Sequence, residues 1–394
     1  MRGRSSRWRR VPGSLAFGLV LLAGCSYRPV SSPSGVETIP EPRPEEVESV
    51  LFLLGDAGEA REGTSPLLER LAEDIERWSA ELERDSAVAL LVLGDIIYPE
   101  GLRPPDDDDY DMDTTVVMSQ VRLVAGPSAS ARGTRAYFLA GNHDWGLKKK
   151  AKGVERLSAL ESFLSEAAAR TGARVRLVPP AGKGGPFVLD WGRHHRIVML
   201  DTAWWLLEGD QAARLQVLRG IEEAFATAGD RTLMMAAHHP FRSGGPHAGG
   251  FSFWSTLGVR YLLYRSGAIL QDITSRPYRE LEAGLREIFG RYGPPLAFLG
   301  GHEHSLQILR GIGPTGPRYN LISGAGSKLT QVGDAPGLLF AQAAPGYMRL
   351  VIDRQGRASV FVVAAPAEYL ACPADEPDRT TCMSNGVAAF QTVY

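Results

Sequence analysis

The chain has 394 residues, of which 44% are hydrophobic and 22% charged, ample for a sizeable core in one large α/β domain or in two or three smaller ones. Ordinary apolar content with charge of both signs excludes disorder over most of the length, and three cysteines without any strict repeat exclude a disulfide scaffold, a collagen or a coiled coil. The formal charge of −2 is unevenly carried: the first 24 residues hold five arginines and no acid, so the remainder is more acidic and a poor candidate for sequence-independent nucleic-acid binding.

In chain order, the arginines of positions 2–10 are followed by an apolar run from Val11 to Gly24, shorter than the roughly 20 residues that cross a bilayer. A basic segment, a short apolar segment and small residues make a secretory signal over residues 1–24. Leu22-Ala23-Gly24-Cys25 resembles a bacterial lipobox. That resemblance implies an acylated Cys25 that anchors the exported chain to the lipid bilayer of the cell envelope, on a periplasmic or outer-membrane face. Residues 25–48, rich in Ser, Pro and Glu, read as a flexible tether.

From 49 to about 365 short apolar runs alternate with helical patterns, which predicts layered α/β structure. Val50 to Leu54 is a strand ending in Gly55-Asp56. Ser65 then caps a helix with Pro66 in its first turn and a stripe of Leu67, Leu71, Ile75, Trp78 and Leu82. Val88 to Leu93 ends in Gly94-Asp95. Asp106 to Asp113, with six Asp in eight residues, reads as a solvated loop near the mouth of a site. Ala136 to Leu139 leads into Gly141-Asn142-His143-Asp144, and Lys148-Lys149-Lys150 beyond it either steers phosphates inward or opens an exposed helix. His194-His195 reads as a solvated start to the strand Arg196 to Leu200. Thr232 to Ala237 ends in His238-His239, and Leu296 to Leu299 ends in Gly300-Gly301-His302.

The stretch from about 251 to 293, with Phe251, Phe253, Trp254, Tyr261 and Tyr264, reads as an insertion flanking the site, its aromatics chiefly packing. Tyr347 to Ile352 and Ala358 to Val363 form an expected hairpin. Residues 366–394 are a C-terminal tail in which Cys372 and Cys382 either form a disulfide, as an oxidising compartment favours, or remain two thiols.

Strand after strand ends in a small residue followed by Asp, Asn or His, and the C-terminal ends of such strands gather at one edge, where ligands bind. Five of the eight histidines (143, 238, 247, 302 and 304) fall in these loops. Asp56, Asp95, Tyr98, Asn142, His143, Asp144, His238, His247, His302 and His304 together offer carboxylate, phenol, amide and imidazole donors. That mixture suits Fe, Mn or Zn better than Cu(I), which prefers sulfur, or Ca, which prefers oxygen alone. A carboxylate such as Asp95 can bridge two cations roughly 3.5–4 Å apart.

The series GDAG (55–58), GDIIY (94–98), GNHD (141–144), HHP (238–240) and GHEH (301–304) resembles the calcineurin-like metallophosphoesterases. Gly58 in place of the commoner histidine, with Tyr98 three residues after Asp95, resembles their purple acid phosphatase branch. The nine-residue step from His238 to His247 resembles its small, tartrate-resistant type. The resemblance implies a four-layer α/β/β/α sandwich and two metal ions, Fe(III) with Fe(II), Zn(II) or Mn(II). Asp56, Tyr98 and His304 would hold the first, Asn142, His238 and His302 the second, and Asp95 would bridge.

It also implies hydrolysis of small phosphomonoesters by attack of a metal-bound hydroxide. His143 and His247 would bind phosphate or protonate the leaving group, with Asp144 holding His143. Ala57, Ile96-Ile97 and His239 depart from the family pattern without removing a ligand, which puts the substrate pocket in doubt more than the metals. A phosphodiesterase or nucleotidase with the same metals is the alternative, and a catalytically silent surface binding module is another.

Overall fold

The computed structural model describes residues 39–59, 65–146, 150–248, 272–364 and 386–391. The expected signal and its Cys25, most of the tether, Lys148 and Lys149, the aromatics of 251–264 and both Cys372 and Cys382 lie outside the described residues.

The first sheet is built from β1 (Val47–Leu54), β2 (Val88–Leu93), β3 (Arg135–Leu139) and β4 (Arg174–Leu177), parallel to one another. The second takes β5 (Phe187–Trp191), β6 (His195–Met199), β7 (Thr232–Ala236), β8 (Ala297–Gly300), β9 (Leu306–Arg310), β10 (Tyr319–Ser323) and β11 (Leu338–Gln342). The chain then returns to the first sheet with β12 (Gly346–Asp353), β13 (Ala358–Ala364) and β14 (Gly386–Gln391), all antiparallel to their neighbours. Among the described residues each sheet has seven strands, in the orders β14-β13-β12-β1-β2-β3-β4 and β11-β9-β10-β8-β7-β6-β5.

All eight residues of β1 are buried, as a strand covered on both faces requires. Its alternation divides the core. Leu51 and Leu53 join Leu91, Leu93 and Leu139 against Met199, Met234, Leu299 and Ile308 in the layer between the sheets. Val50, Phe52 and Leu54 turn outward and pack with α1 (Pro66–Glu81) through Leu67, Leu71, Ile75 and Trp78. The chain therefore forms four layers, helix, sheet, sheet and helix, as expected.

The helices start where the sequence signals them. Ser65 Oγ accepts the Leu68 N–H at 3.2 Å, with Pro66 at the first helical position. α1 is also pinned to the sheet by charge: buried Asp74 accepts from Tyr347 Oη at 2.9 Å, from Arg77 at 2.8 Å and from Arg349.

Between β2 and β4 lie α2 (Tyr110–Val121), α3 (Pro127–Ala131) and α4 (Lys150–Thr171). The aspartate run is only partly the solvated loop expected. Asp106 to Asp108 are exposed, but Asp113 in the first turn of α2 is buried against Arg103 at 2.7 Å, an ion pair that reels in the end of the run. Lys150 opens α4 and pairs with Glu208, with its ammonium 5.8 Å above the Trp204 ring.

α5 (Thr202–Leu207), α6 (Gln211–Ala226) and α7 (Arg276–Tyr292) cover the second sheet. Tyr278, Leu281, Leu285, Ile288 and Phe289 of α7 belong to the same core cluster as α6, so the later part of the 251–293 stretch is a packed member of the helical layer. His195 also departs from expectation. It is fully buried at the start of β6, with no hydrogen-bond partner on either ring nitrogen, and burial holds its pKa down at about 4.

Candidate metal centre

The first sheet delivers Asp56 after β1, Asp95 and Tyr98 after β2, and Asn142, His143 and Asp144 after β3. The second delivers His238 and His247 after β7, and His302 and His304 after β8. All ten meet at one sheet edge. Asp201, also at a strand end, instead caps α5 by accepting the Trp204 N–H at 2.8 Å.

The donors fall into two groups that share Asp95. In the first, Tyr98 Oη lies 2.9 Å from Asp95 Oδ2, 3.2 Å from Asp56 Oδ1 and 3.3 Å from His304 Nε2. In the second, His238 Nε2 lies 2.9 Å from Asn142 Oδ1, 3.2 Å from His302 Nδ1 and 3.4 Å from Asp95 Oδ1. The two oxygens of Asp95 therefore face different groups.

His238 donates from Nδ1 to the Leu93 carbonyl at 2.8 Å, which leaves Nε2 a bare lone pair. That lone pair, the Asn142 carbonyl oxygen and Asp95 Oδ1 are turned on one another, an arrangement that positive charge among them favours. Donor atoms of Asp56, Asp95 and His304 lie within 4.8 Å of one another, spaced to hold a metal ion, and in the second group those of His238 and His302 do so together with the neighbouring His239. The donor set therefore fits two hard-to-borderline cations.

Among these donors the charges are frustrated. Burial and the neighbouring Asp95 push the Asp56 carboxyl well above its ordinary value, and burial followed by the two carboxylates raises Tyr98. Burial pushes His304 down to about 4, and burial with the surrounding rings holds His302 well below its usual range. Cations at the two groups favour the ionised acids and the bare imidazoles.

Glycines make room for this packing. A Cβ at Gly141 would stand 2.2 Å from Asp95 Oδ1. At Gly58 it would stand 2.8 Å from both the Tyr98 ring and the Asp95 carbonyl oxygen, so this turn has no room for a side chain at 58.

Asp144 does not hold His143 as the resemblance implied. Its buried carboxylate accepts the backbone N–H groups of Gly141 at 2.7 Å, Ile96 at 3.0 Å and Ile97 at 3.1 Å, tying two donor-bearing turns together. His143 Nδ1 instead meets the Pro99 carbonyl at 2.6 Å, and its Nε2 lies 3.9 Å from Asp95 Oδ2. Ile96 and Ile97 bury their side chains in the core while their amides serve Asp144.

His239, buried, takes Thr202 Oγ1 at 2.8 Å and sets its ring 4.3 Å from that of His302. His247 has a partner that the motifs did not disclose: Asp272, at 2.8 Å from Nδ1. Burial alone would lower His247, but Asp272 and then Glu303 raise it above its ordinary value. Asp272 belongs to no motif, and no spacing points to it.

No family model and no curated protein sequence matches the chain. Solved structures do. GAP50, the anchor in the inner membrane complex of Plasmodium, superposes with a TM-score of 0.50 at 12% identity, covering 81% of this chain and 85% of that one. Purple acid phosphatase PPD1 from yellow lupin (Lupinus luteus) seeds superposes with a TM-score of 0.50 at 14% identity, covering 89% of this chain and 55% of that one. The fold is of the metallophosphoesterase type. At these identities the likeness concerns architecture, whereas the metal-capable clusters are a property of this chain's own residues. Among the described residues no helix is long and apolar enough to cross a membrane.

Proposed function

We propose that the chain is a dinuclear-metal phosphatase acting on small phosphomonoesters. The observation that carries this reading is Asp95, whose two carboxylate oxygens face two separate donor groups, 2.9 Å from Tyr98 Oη and 3.4 Å from His238 Nε2. Asp56, Tyr98 and His304 would hold one cation and Asn142, His238 and His302 the other, with Asp95 common to both. The phenol oxygen, a hard donor once ionised, favours Fe(III) in the first position, with Fe(II), Zn(II) or Mn(II) in the second. Such a pair supplies Lewis-acid charge to the phosphoryl oxygens and a water acidified for attack.

The protein's own residues do the rest. Asp144 keeps the turns bearing Asp95 and Asn142 in register through its three backbone hydrogen bonds. His143, with Nδ1 occupied by the Pro99 carbonyl, has Nε2 left to bind a phosphate oxygen. His247, whose hold on a proton Asp272 and Glu303 strengthen, has Nε2 left to give a proton to the departing alkoxide. As part of the same proposal, Cys25 is acylated and holds the exported protein on the cell envelope.

The likeness to GAP50, described as an anchor, motivates a second reading, a surface module without turnover. The complete donor set supports the first. Hydrolysis of an aryl phosphomonoester and its matching diester, followed from acid to alkaline pH on protein loaded with iron and a divalent metal, separates them. Monoester cleavage peaking in acid is the expected result. A diester preference or an alkaline optimum moves the function to a phosphodiesterase or nucleotidase, and metal uptake without turnover leaves the silent module.

A further inference from the structure

Beyond β10 the chain runs through Gly324, Ala325 and Gly326 into Ser327 and Lys328, and it is fastened to the donor-bearing turns on both sides of the lysine. Ser327 Oγ donates to the Asp56 carbonyl at 2.6 Å, and the Thr330 N–H donates to the His304 carbonyl at 2.8 Å. Between these two ties, the Lys328 ammonium stands 3.5 Å from the centroid of the Tyr98 ring. Glu59 lies 3.0 Å from the same ammonium. Tyr98 is nearly buried, so solvent screens this field weakly.

We propose that Lys328 sets the donor strength of Tyr98, acting through the phenol ring as a positioning charge. The inference rests on the reading of Tyr98 as a ligand of the first cation. A positive charge on the π face stabilises the electrons of the ring and its oxygen, so the oxygen donates less to a bound metal. Glu59, by neutralising part of that charge, works in the opposite direction. Nothing in the five motifs contains Lys328 or Glu59; the pair is a feature of this chain's own loops.

The test is the visible spectrum, at one fixed pH, of protein loaded with iron(III) and zinc(II). Weaker donation places a phenolate-to-iron charge-transfer band at higher energy. Lys328→Met is therefore expected to move the band to longer wavelength and Lys328→Arg to keep it near the wild-type position. Glu59→Gln, which frees the ammonium's full charge, is expected to move it to shorter wavelength. Opposite shifts in Lys328→Met and Glu59→Gln support the inference, because a disturbed loop would not produce them. An unmoved band in both variants, or a shift of the same sign in both, overturns it and leaves Tyr98 a ligand. A wild-type protein that binds iron without any such band overturns the Tyr98 reading itself, and this inference with it.

Discussion

Asp56, Asp95 and His302 all sit in the left-handed backbone region, at φ of 59°, 53° and 67°. For residues with a side chain this costs about 1–3 kcal/mol each, and such strain persists where the surroundings over-determine the geometry. Asp95 has the most to hold it: its Oδ1 also accepts the His143 N–H at 3.0 Å. Asp95→Asn removes charge shared by both groups and should cost at least about 100-fold in affinity for both metals, measured as bound metal per chain, with activity falling alongside. Asp272→Asn tests a different atom. Without the carboxylate, the His247 pKa falls, so the alkaline limb of the kcat–pH profile should move to lower pH, with kcat down about 10- to 100-fold. A profile that keeps its limb would remove His247 from the proton-donor role.

At the scale of elements, α1 shows what patterning reveals and what it hides. Its apolar stripe and its Ser65-Pro66 start were legible because a 3.6-residue period and a cap are local. Asp74 was not, because it reads as one more acid on a polar face while its partner Arg349 lies 275 residues away. Burial alone would raise the Asp74 carboxyl, but Arg349, Arg77 and Tyr347 outweigh it and hold it below its usual range. Asp74→Ala takes from buried Arg349 one acid partner and leaves it Glu41, and should cost about 1–3 kcal/mol in denaturant unfolding.

The same distinction runs through the site. Metal-type donors at strand ends announce themselves by residue type. Asp144's three amide partners are backbone groups that carry no sequence signature, and the Asp272 and Lys328 contacts depend on where loops fold back. The aspartate run misled for a related reason: composition gave its polarity, but Arg103 decides which of its members is buried.

For the whole molecule, the donors come from both sheets, so cations bound at the edge link them. Metal at a hundredfold excess over Kd adds about 2.7 kcal/mol for one site. A chelator should therefore lower the melting temperature of loaded protein and leave that of metal-free protein unchanged. His195 acts in the other direction at acid pH. Its folded pKa of about 4 lies below the ordinary 6.5, so the unfolded chain takes up the proton first and stability is lost as pH falls from 6.5 towards 4. The loss amounts to about 2 kcal/mol at pH 5. Between pH 8 and pH 5 the urea midpoint of wild type should therefore fall relative to that of His195→Leu, which has no group to titrate there.

The place of β1 has a consequence in time as well as in space. Its residues Val50 to Leu53 pair on one side with β2, close in sequence, and on the other with Val351 to Met348 of β12, far along the chain from them. Contacts this distant form slowly, since the intervening loop must close before they reward it. The strand that leads into Asp56 thus waits for its second neighbour until β12 has been made and has docked. A version stopped short of Gly346 should bind no metal at the first group however well its helices form.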